Sequence, residues 1–185
     1  MFKAFLIKYA EIGLKGNNRY LFENALRDRV KEALSPLEAN GGYYVVSKEQ
    51  GRIFVECPDG YDYEETVAAL QRVFGISSFC PVVVLESSEW EQLTQGVGDY
   101  VEKMYPDRSF TFKVEAKRAD KNYRYTSPEI CVEMGAYLLK RFPEMKVDVH
   151  EPDVRITVEV RTNCYVYSIV IPGPGGMPVG CNGKG

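Results

Sequence analysis

The sequence predicts an α+β chain built as two small folded units. Three observations carry this: apolar stripes at helical spacing alternate with short β-rich runs, Gly and Pro punctuate nearly every junction, and 185 residues suit one to two domains. With 45% apolar and 12% aromatic residues, the composition is that of a chain that buries a core rather than one that stays disordered.

Residues 2–9 read as the first strand. Residues 11–18, with Gly13 and Gly16, form a loop in which Asn17 or Asn18 is expected to cap a helix. That helix carries Leu21, Phe22, Ala25, Leu26, Val30, Ala33 and Leu34 as its apolar stripe. Pro36 and Gly41-Gly42 break the chain before a strand at 43–48, and Gln50-Gly51 turns it into Arg52-Ile53-Phe54-Val55-Glu56 as a hairpin. Asp62 caps a second helix, with Val67, Leu70, Val73 and Phe74 inward and Gly75 at its end. A β-branched run, 79–85, completes a strand-helix-strand-strand-helix-strand order, which is the ferredoxin-like pattern.

The second unit starts near residue 76. Ser88 and Glu91 have the spacing of a capping box for a helix that runs through Met104 and stops before Pro106. Residues 109–117 alternate cleanly, with Phe110, Phe112, Val114 and Ala116 on one face. Ser127-Pro128-Glu129 opens a further helix, with Ser127 as cap and Ile130, Cys131, Met134, Tyr137 and Leu138 inward. Strands are expected at 146–149, 154–161 and 164–171. Residues 172–185 are rich in Gly and Pro and read as a linker. The expected division is 1–75, 76–171 and 172–185.

No run of 18 apolar residues occurs, and the lysines within the first nine positions are unlike a signal peptide. A cytoplasmic protein with no membrane association is expected. Cys57, Cys80, Cys131, Cys164 and Cys181 are odd in number and form no C-x-x-C pair, so reduced thiols are expected rather than a disulfide framework or a zinc site.

Catalytic patterns are sparse. His150, the single histidine, stands before a Pro turn, and Glu151 with Asp153 is too thin a set for a metal. Before Gly183-Lys184 the first glycine of a phosphate loop is replaced by Pro178, and Gly185 stands where its hydroxyl is required.

The net charge is −3, against the basic balance usual in nucleic-acid binders. Charge is nevertheless segregated. From Glu86 to Glu102 every charge is acidic, whereas Lys113, Lys117, Arg118, Lys121 and Arg124 face only Glu115 and Asp120. This basic segment leaves a strand and enters a helix start, whose free N–H groups and dipole suit a phosphate. Tyr123 and Tyr125 add rings on which unpaired bases can stack. The bland alternative is a solvated loop. A second loop gathers Lys15 and Arg19 at another helix start, where ordinary turn chemistry explains the Gly and Asn residues equally well. The candidate RNA-contacting residues are Lys15, Arg19, Lys113, Lys117, Arg118, Lys121, Tyr123 and Arg124.

Four segments in order resemble one family. They are Lys8-Tyr9-Ala10-Glu11-Ile12-Gly13-Leu14-Lys15-Gly16-Asn17-Asn18-Arg19, then Val73-Phe74-Gly75-Ile76, then Val147-Asp148-Val149-His150-Glu151-Pro152-Asp153-Val154, then Gly175-Gly176-Met177-Pro178-Val179-Gly180. Together they are similar to the tRNA 4-thiouridine synthetases (the ThiI family of tRNA sulfurtransferases). The resemblance implies a ferredoxin-like domain followed by a THUMP domain that holds the acceptor 3′ end of tRNA. It implies a parent enzyme that transfers sulfur to uridine at position eight after ATP, with magnesium, adenylates the base. It also implies a cysteine desulfurase as sulfur donor, a link to thiamine thiazole synthesis in some bacteria, and possible homodimers. The family's S-G-G-x-D-S loop does not occur in these residues, so no catalytic residue and no cofactor is assigned here, and the chain alone is expected to bind tRNA without modifying it. Two other classes stay open: the RNA-binding part of a different THUMP-containing enzyme, such as a methyltransferase or deaminase, and a non-catalytic interaction domain.

Overall fold

The computed structural model describes residues 1–10, 16–49 and 51–176. They form two compact units: Met1–Pro81 with the described part of Ile169–Gly185, and Val82–Ser168. The chain thus leaves the first unit within a strand and returns to it after completing the second.

The first unit runs β1 (Ala4–Tyr9), α1 (Asn17–Leu34), a 3-10 segment (Ser35–Asn40), β2 (Val45–Glu49), β3 (Arg52–Glu56), α2 (Tyr63–Leu70) and the opening half of β4 (Ile76–Leu85). Its strands lie in the order β2-β3-β1-β4, with β3 antiparallel to both β2 and β1. The ferredoxin-like order read from the sequence is therefore present. Phe5, Ile7 and Tyr9 of β1 project to one face, where Phe22, Leu26, Val30 and Leu34 of α1 meet Ile53, Val55, Ala69 and Leu70. Those four α1 residues recur every fourth position and are the buried stripe; Leu21, one position off it, is 63% exposed.

Neither Asn17 nor Asn18 caps α1. Gly16 occupies that position at φ 52 with no side-chain cap, a backbone conformation that glycine adopts without strain. Asp62 caps α2 as expected, its carboxylate accepting from Glu65 N at 2.9 Å. The helix ends at Leu70 and is followed by turns, so Phe74 falls outside it and is half-exposed. The short strand β9 (Ile171–Pro172) pairs antiparallel with β4. Gly173 N and Gly175 N then donate to Ser77 O (3.0 Å) and Ile76 O (2.7 Å). Pro172 is tolerated here because a two-residue strand at a sheet edge demands little from its missing N–H. The rest of the expected linker, 177–185, lies outside the described residues.

The second unit takes the closing half of β4, then α3 (Trp90–Met104), β5 (Thr111–Arg118), α4 (Ser127–Arg141), β6 (Lys146–Val147), β7 (Val154–Val160) and β8 (Cys164–Tyr167). The strand order is β4-β8-β7-β5-β6. β8 is antiparallel to β4 and β7, whereas β5 runs parallel to both β7 and β6. A parallel pair requires a crossover, and α4 supplies it. Leu93, Val97 and Val101 of α3 and Ile130, Met134 and Leu138 of α4 are fully buried, as are Phe112, Ile156, Val158 and Val166 of the strands.

Three sequence expectations change in this unit. Ser88 does not form a capping box with Glu91: α3 begins at Trp90 behind Glu89, and it is Ser87 Oγ that accepts from Glu89 N. Ser88 lies one residue too early, and its carbonyl receives a bond from Tyr123 instead. The cap of α4 is Thr126, not Ser127. The strand expected over 164–171 is interrupted after Tyr167, where Ser168 Oγ hydrogen-bonds the hydroxyls of Tyr100 (2.7 Å) and Tyr105 (2.6 Å).

Candidate nucleic-acid interface

The basic segment is a strand end, a folded loop and a helix start. β5 presents Lys113 and Lys117 on the face opposite the buried Phe112 and Val114. The strand does not end abruptly, because Ala119 N still donates to Val160 O at 2.9 Å. Asp120 then shapes the loop: its carboxylate accepts from Asn122 N at 2.8 Å and its carbonyl from Tyr123 N at 3.2 Å. Arg118 Nη1 donates to Lys121 O at 2.7 Å and Asp120 O at 3.3 Å, so this guanidinium holds the loop backbone from within.

The two tyrosines of the loop have different surroundings. Tyr123 is half-buried, and its hydroxyl donates to Ser88 O at 2.6 Å, tying the loop to the segment before α3. Burial raises its pKa above the usual tyrosine value. Tyr125 sets its ring edge-on to Trp90, centroids 4.7 Å apart, while the Arg124 guanidinium lies 4.7 Å from the Tyr125 centroid. Arg124 Nη2 also donates to the Tyr125 hydroxyl at 3.2 Å. Nothing in the sequence links Trp90 to Tyr125.

Lys113 makes a loose 3.9 Å pair with Glu115, whose carboxylate is shared with Arg155 at 2.9 Å. Lys117 and Lys121 are exposed and make no ion pair among the described residues. These two ammonium groups are the most available cations of the segment.

The helix start differs from the open anion site that the sequence suggests. Glu129 N donates to Thr126 Oγ1 at 3.3 Å, and Thr126 N donates to Glu129 Oε1 at 2.8 Å, a reciprocal capping box. These hydrogen bonds hold the Glu129 carboxyl below its ordinary pKa. The positive end of α4 therefore already carries a carboxylate of its own.

In the first unit, Lys15 lies outside the described residues. Arg19 is half-buried beside the Tyr9 hydroxyl, which donates to the Glu23 carboxylate. Burial and that bond push Tyr9 up to about 12, with Arg19 pulling the other way. Close by in sequence, Lys48 Nζ lies 4.1 Å from the centroid of the exposed Tyr20 ring, a cation–π pair joining a strand to a helix that periodicity alone does not reveal.

His150 lies in an exposed turn, where its backbone N and that of Glu151 both donate to Asp148 Oδ1 at 3.0 Å. Among the described residues no group of three His, Cys, Asp or Glu side chains is placed to hold a metal, and no helix is long and apolar enough to cross a membrane. Cys57, Cys131 and Cys164 are free thiols, and burial pushes Cys57 up to about 12.

Residues 4–80 match the ThiI ferredoxin-like domain, and residues 87–168 match the THUMP domain. The chain is a ThiI ferredoxin-like domain joined to a THUMP domain. The basic strand, loop and helix start all belong to the THUMP domain. Across its whole length the chain is 64% identical to a probable tRNA sulfurtransferase of Lachnoclostridium phytofermentans, of which it covers 46%. Over 97% of its length it is 44% identical to the corresponding protein of Thermoanaerobacter pseudethanolicus, covering 44% of that relative. The chain thus spans a little under half the length of the curated relatives it matches. Among solved structures, a 4-thiouridine synthetase in complex with RNA and bound ATP superposes with a TM-score of 0.76 at 33% identity, over 98% of this chain and 45% of that one. A protein of Pyrococcus horikoshii gives a TM-score of 0.77 at 28% identity, over 97% of this chain and 58% of that one.

Proposed function

We propose that this chain is the tRNA-binding part of a tRNA sulfurtransferase that makes 4-thiouridine, and that its THUMP domain grips the acceptor end of tRNA. The observation that carries this reading is the end-to-end similarity to probable tRNA sulfurtransferases, together with the 33% identical synthetase solved with RNA. The geometry supports it: Lys117 stands near the end of β5 and Lys121 in the following loop, whose backbone is braced by Arg118 and Tyr123, so both charges are presented from an ordered base. The proposed RNA contacts include Lys113 and Arg124 of the same domain, and Lys15 and Arg19 of the ferredoxin-like domain.

In the proposed parent enzyme, ATP and magnesium activate uridine at position eight and a cysteine desulfurase supplies sulfur. The 185 residues contain no S-G-G-x-D-S loop, so the role assigned to this chain is binding and positioning. Dimers that share one tRNA, and a cytoplasmic location, belong to the same proposal.

The test is binding of intact tRNA and of tRNA lacking its CCA end at two salt concentrations. Tighter binding of the intact form, with log affinity falling linearly as log salt rises, is expected because phosphate contacts release counterions. Equal affinity for both forms rejects the acceptor-end assignment, and no binding at low salt rejects the RNA-binding role. Incubation with ATP, a persulfide donor and tRNA is expected to give no 4-thiouridine; its formation would overturn the assignment of chemistry to another domain.

A further inference from the structure

Helix α4 has two apolar faces. Ile130, Met134 and Leu138 face the core, whereas Val132, Ala136 and Leu139 recur on the opposite side and stay exposed. A surface helix needs only the first of these. The second lines an apolar groove of about 410 Å³, bordered also by Val147, Val149 and the Phe112–Val114 stretch of β5.

Beside this groove lies an open strand edge. On one side β7 pairs with β5 from Phe112 to Arg118, but on the other side β6 pairs only with Thr111 and Phe112. Among the described residues no strand covers that second side beyond Phe112. The carbonyls of Phe110 and Phe112 accept from Lys146 N and Asp148 N, so the even-numbered residues turn their backbone groups toward this edge. Val114 and Ala116 therefore present N–H and C=O groups along it with no strand to take them. The Ala116 N–H donates to the Cys131 sulfur, a weak acceptor that a carbonyl would replace. The two faces of the edge differ in charge. Toward α4 it is apolar. On the opposite face stand Lys113 and Lys117 of β5 and Lys146 of β6, against Glu115, whose carboxylate is already held by Arg155 at 2.9 Å.

We propose that this edge takes an extended peptide segment of a protein partner, laid in line with β6, in which apolar residues alternate with acidic ones. Successive side chains of a strand point to opposite faces, so the apolar ones enter the groove beside Val132 and Leu139 while the carboxylates meet Lys113 and Lys117 behind it. Charge complementarity sets the acidic half of this pattern. The open backbone sets the extended half: Val114 and Ala116 offer donors and acceptors together, which another main chain matches and phosphates, being acceptors, match only in part. An exposed strand edge is a ready template for such pairing, and the two-residue β6 leaves most of this one uncovered. This role is separate from tRNA binding and does not depend on it.

The test uses the whole chain, labelled with nitrogen-15 and with carbon-13 at Val and Leu methyls. It is titrated with capped eight-residue peptides of alternating valine and glutamate, of alternating valine and lysine, and of valine and glutamate with alternate backbone amides methylated. The glutamate peptide is expected to slow hydrogen exchange at the Val114 and Ala116 amides and to shift the Val132, Leu139, Val147 and Val149 methyls. The lysine peptide should bind more weakly, and the methylated peptide, which cannot pair along an edge, should leave both signals unmoved. Lys117→Glu should weaken the glutamate peptide and strengthen the lysine peptide by roughly twofold to fivefold each, the usual worth of a cross-strand charge pair. Val132→Thr exchanges a methyl for a hydroxyl at an exposed position and should weaken the glutamate peptide about fourfold. Equal binding of the methylated peptide, or binding that leaves exchange at Val114 and Ala116 unchanged, overturns the strand-edge assignment. So does the absence of peptide binding, or self-association that moves the same methyls without peptide. Methyls that shift with a single-stranded RNA and with none of the peptides make the groove a nucleic-acid site and reject the proposal. None of these failures bears on tRNA binding through the lysines, which the salt series measures separately.

Discussion

Thr126 and Glu129 close on each other across the first turn of α4, each side chain accepting the other's backbone N–H. The positive end of the helix is thereby matched by a carboxylate of the chain itself. An RNA phosphate near this turn meets a compensated dipole, which leaves attraction to the lysines of the preceding loop.

Removing this cap has a defined cost. Thr126→Ala is expected to lower stability by about 1 kcal/mol, typical of a lost N-cap, and Thr126→Ser to restore most of it. The Glu129 carboxyl sits below its ordinary pKa of 4.5 in the folded chain, so its contribution is present above that value and lost as pH falls through the folded value. The gap in melting temperature between the unaltered chain and Glu129→Gln should therefore be present at neutral pH and close in acid. A gap that stays constant from pH 7 to strongly acidic buffer would contradict this.

Lys117 and Lys121 should separate from Arg118 in their effects on binding and on stability. Lys117→Ala with Lys121→Ala is expected to weaken tRNA binding and to reduce the salt slope by about one for each lost phosphate contact, with melting temperature unchanged. Arg118→Ala removes the bonds to Lys121 O and Asp120 O, so it should loosen the loop as well. Arg118→Lys should not restore binding, because an ammonium lacks the fork that spans both carbonyls. Full rescue by lysine would show that charge alone matters at this position.

Much of this architecture was legible in the sequence, and the misses have physical causes. The β-α-β-β-α-β order stood out because apolar spacing changes period at Gly and Pro punctuation. The parallel pairing of β5 with β7 did not, since it depends on α4 crossing over between strands that share no local signal. Thr126 and Ser127 both carry a capping hydroxyl, and only the distance to Glu129 decides between them. Tyr123 and Tyr125 look equivalent in the sequence; the Ser88 carbonyl engages one, while Trp90 and Arg124 surround the other. Basic clustering located the candidate interface, yet the second apolar face of α4 became visible only once its core-facing stripe was assigned.

Alkaline titration should find several late tyrosines among the 13 in the chain. Burial raises Tyr44, Tyr61 and Tyr63 in the first unit and Tyr123 in the second, and it pushes Tyr9 up to about 12 with help from Glu23. A folded pKa above the unfolded value means that the unfolded chain releases protons first. The associated stability is complete below pH 10 and is lost as pH rises toward 12. Absorbance at the phenolate band should thus rise in two phases, the later one coinciding with loss of circular dichroism. A single phase near the unperturbed value, with the fold intact, would refute these burial assignments.

Gly173 tests whether the returning segment is held by its backbone. It donates to Ser77 O at 3.0 Å, and a Cβ placed on it would strike the Ile76 carbonyl. Because the obstacle is strand backbone rather than a flexible side-chain tip, relief requires the segment to lift from β4. Gly173→Ala is expected to cost about 1–3 kcal/mol, the usual penalty for overpacking, and to speed hydrogen exchange at the amides of Gly173 and Gly175. Exchange elsewhere in the first unit should hold or quicken only to the extent that those amides share the same opening, with β1 and β3 least affected. Unaltered stability together with unaltered exchange at Gly175 would mean that this return along β4 is not maintained in solution.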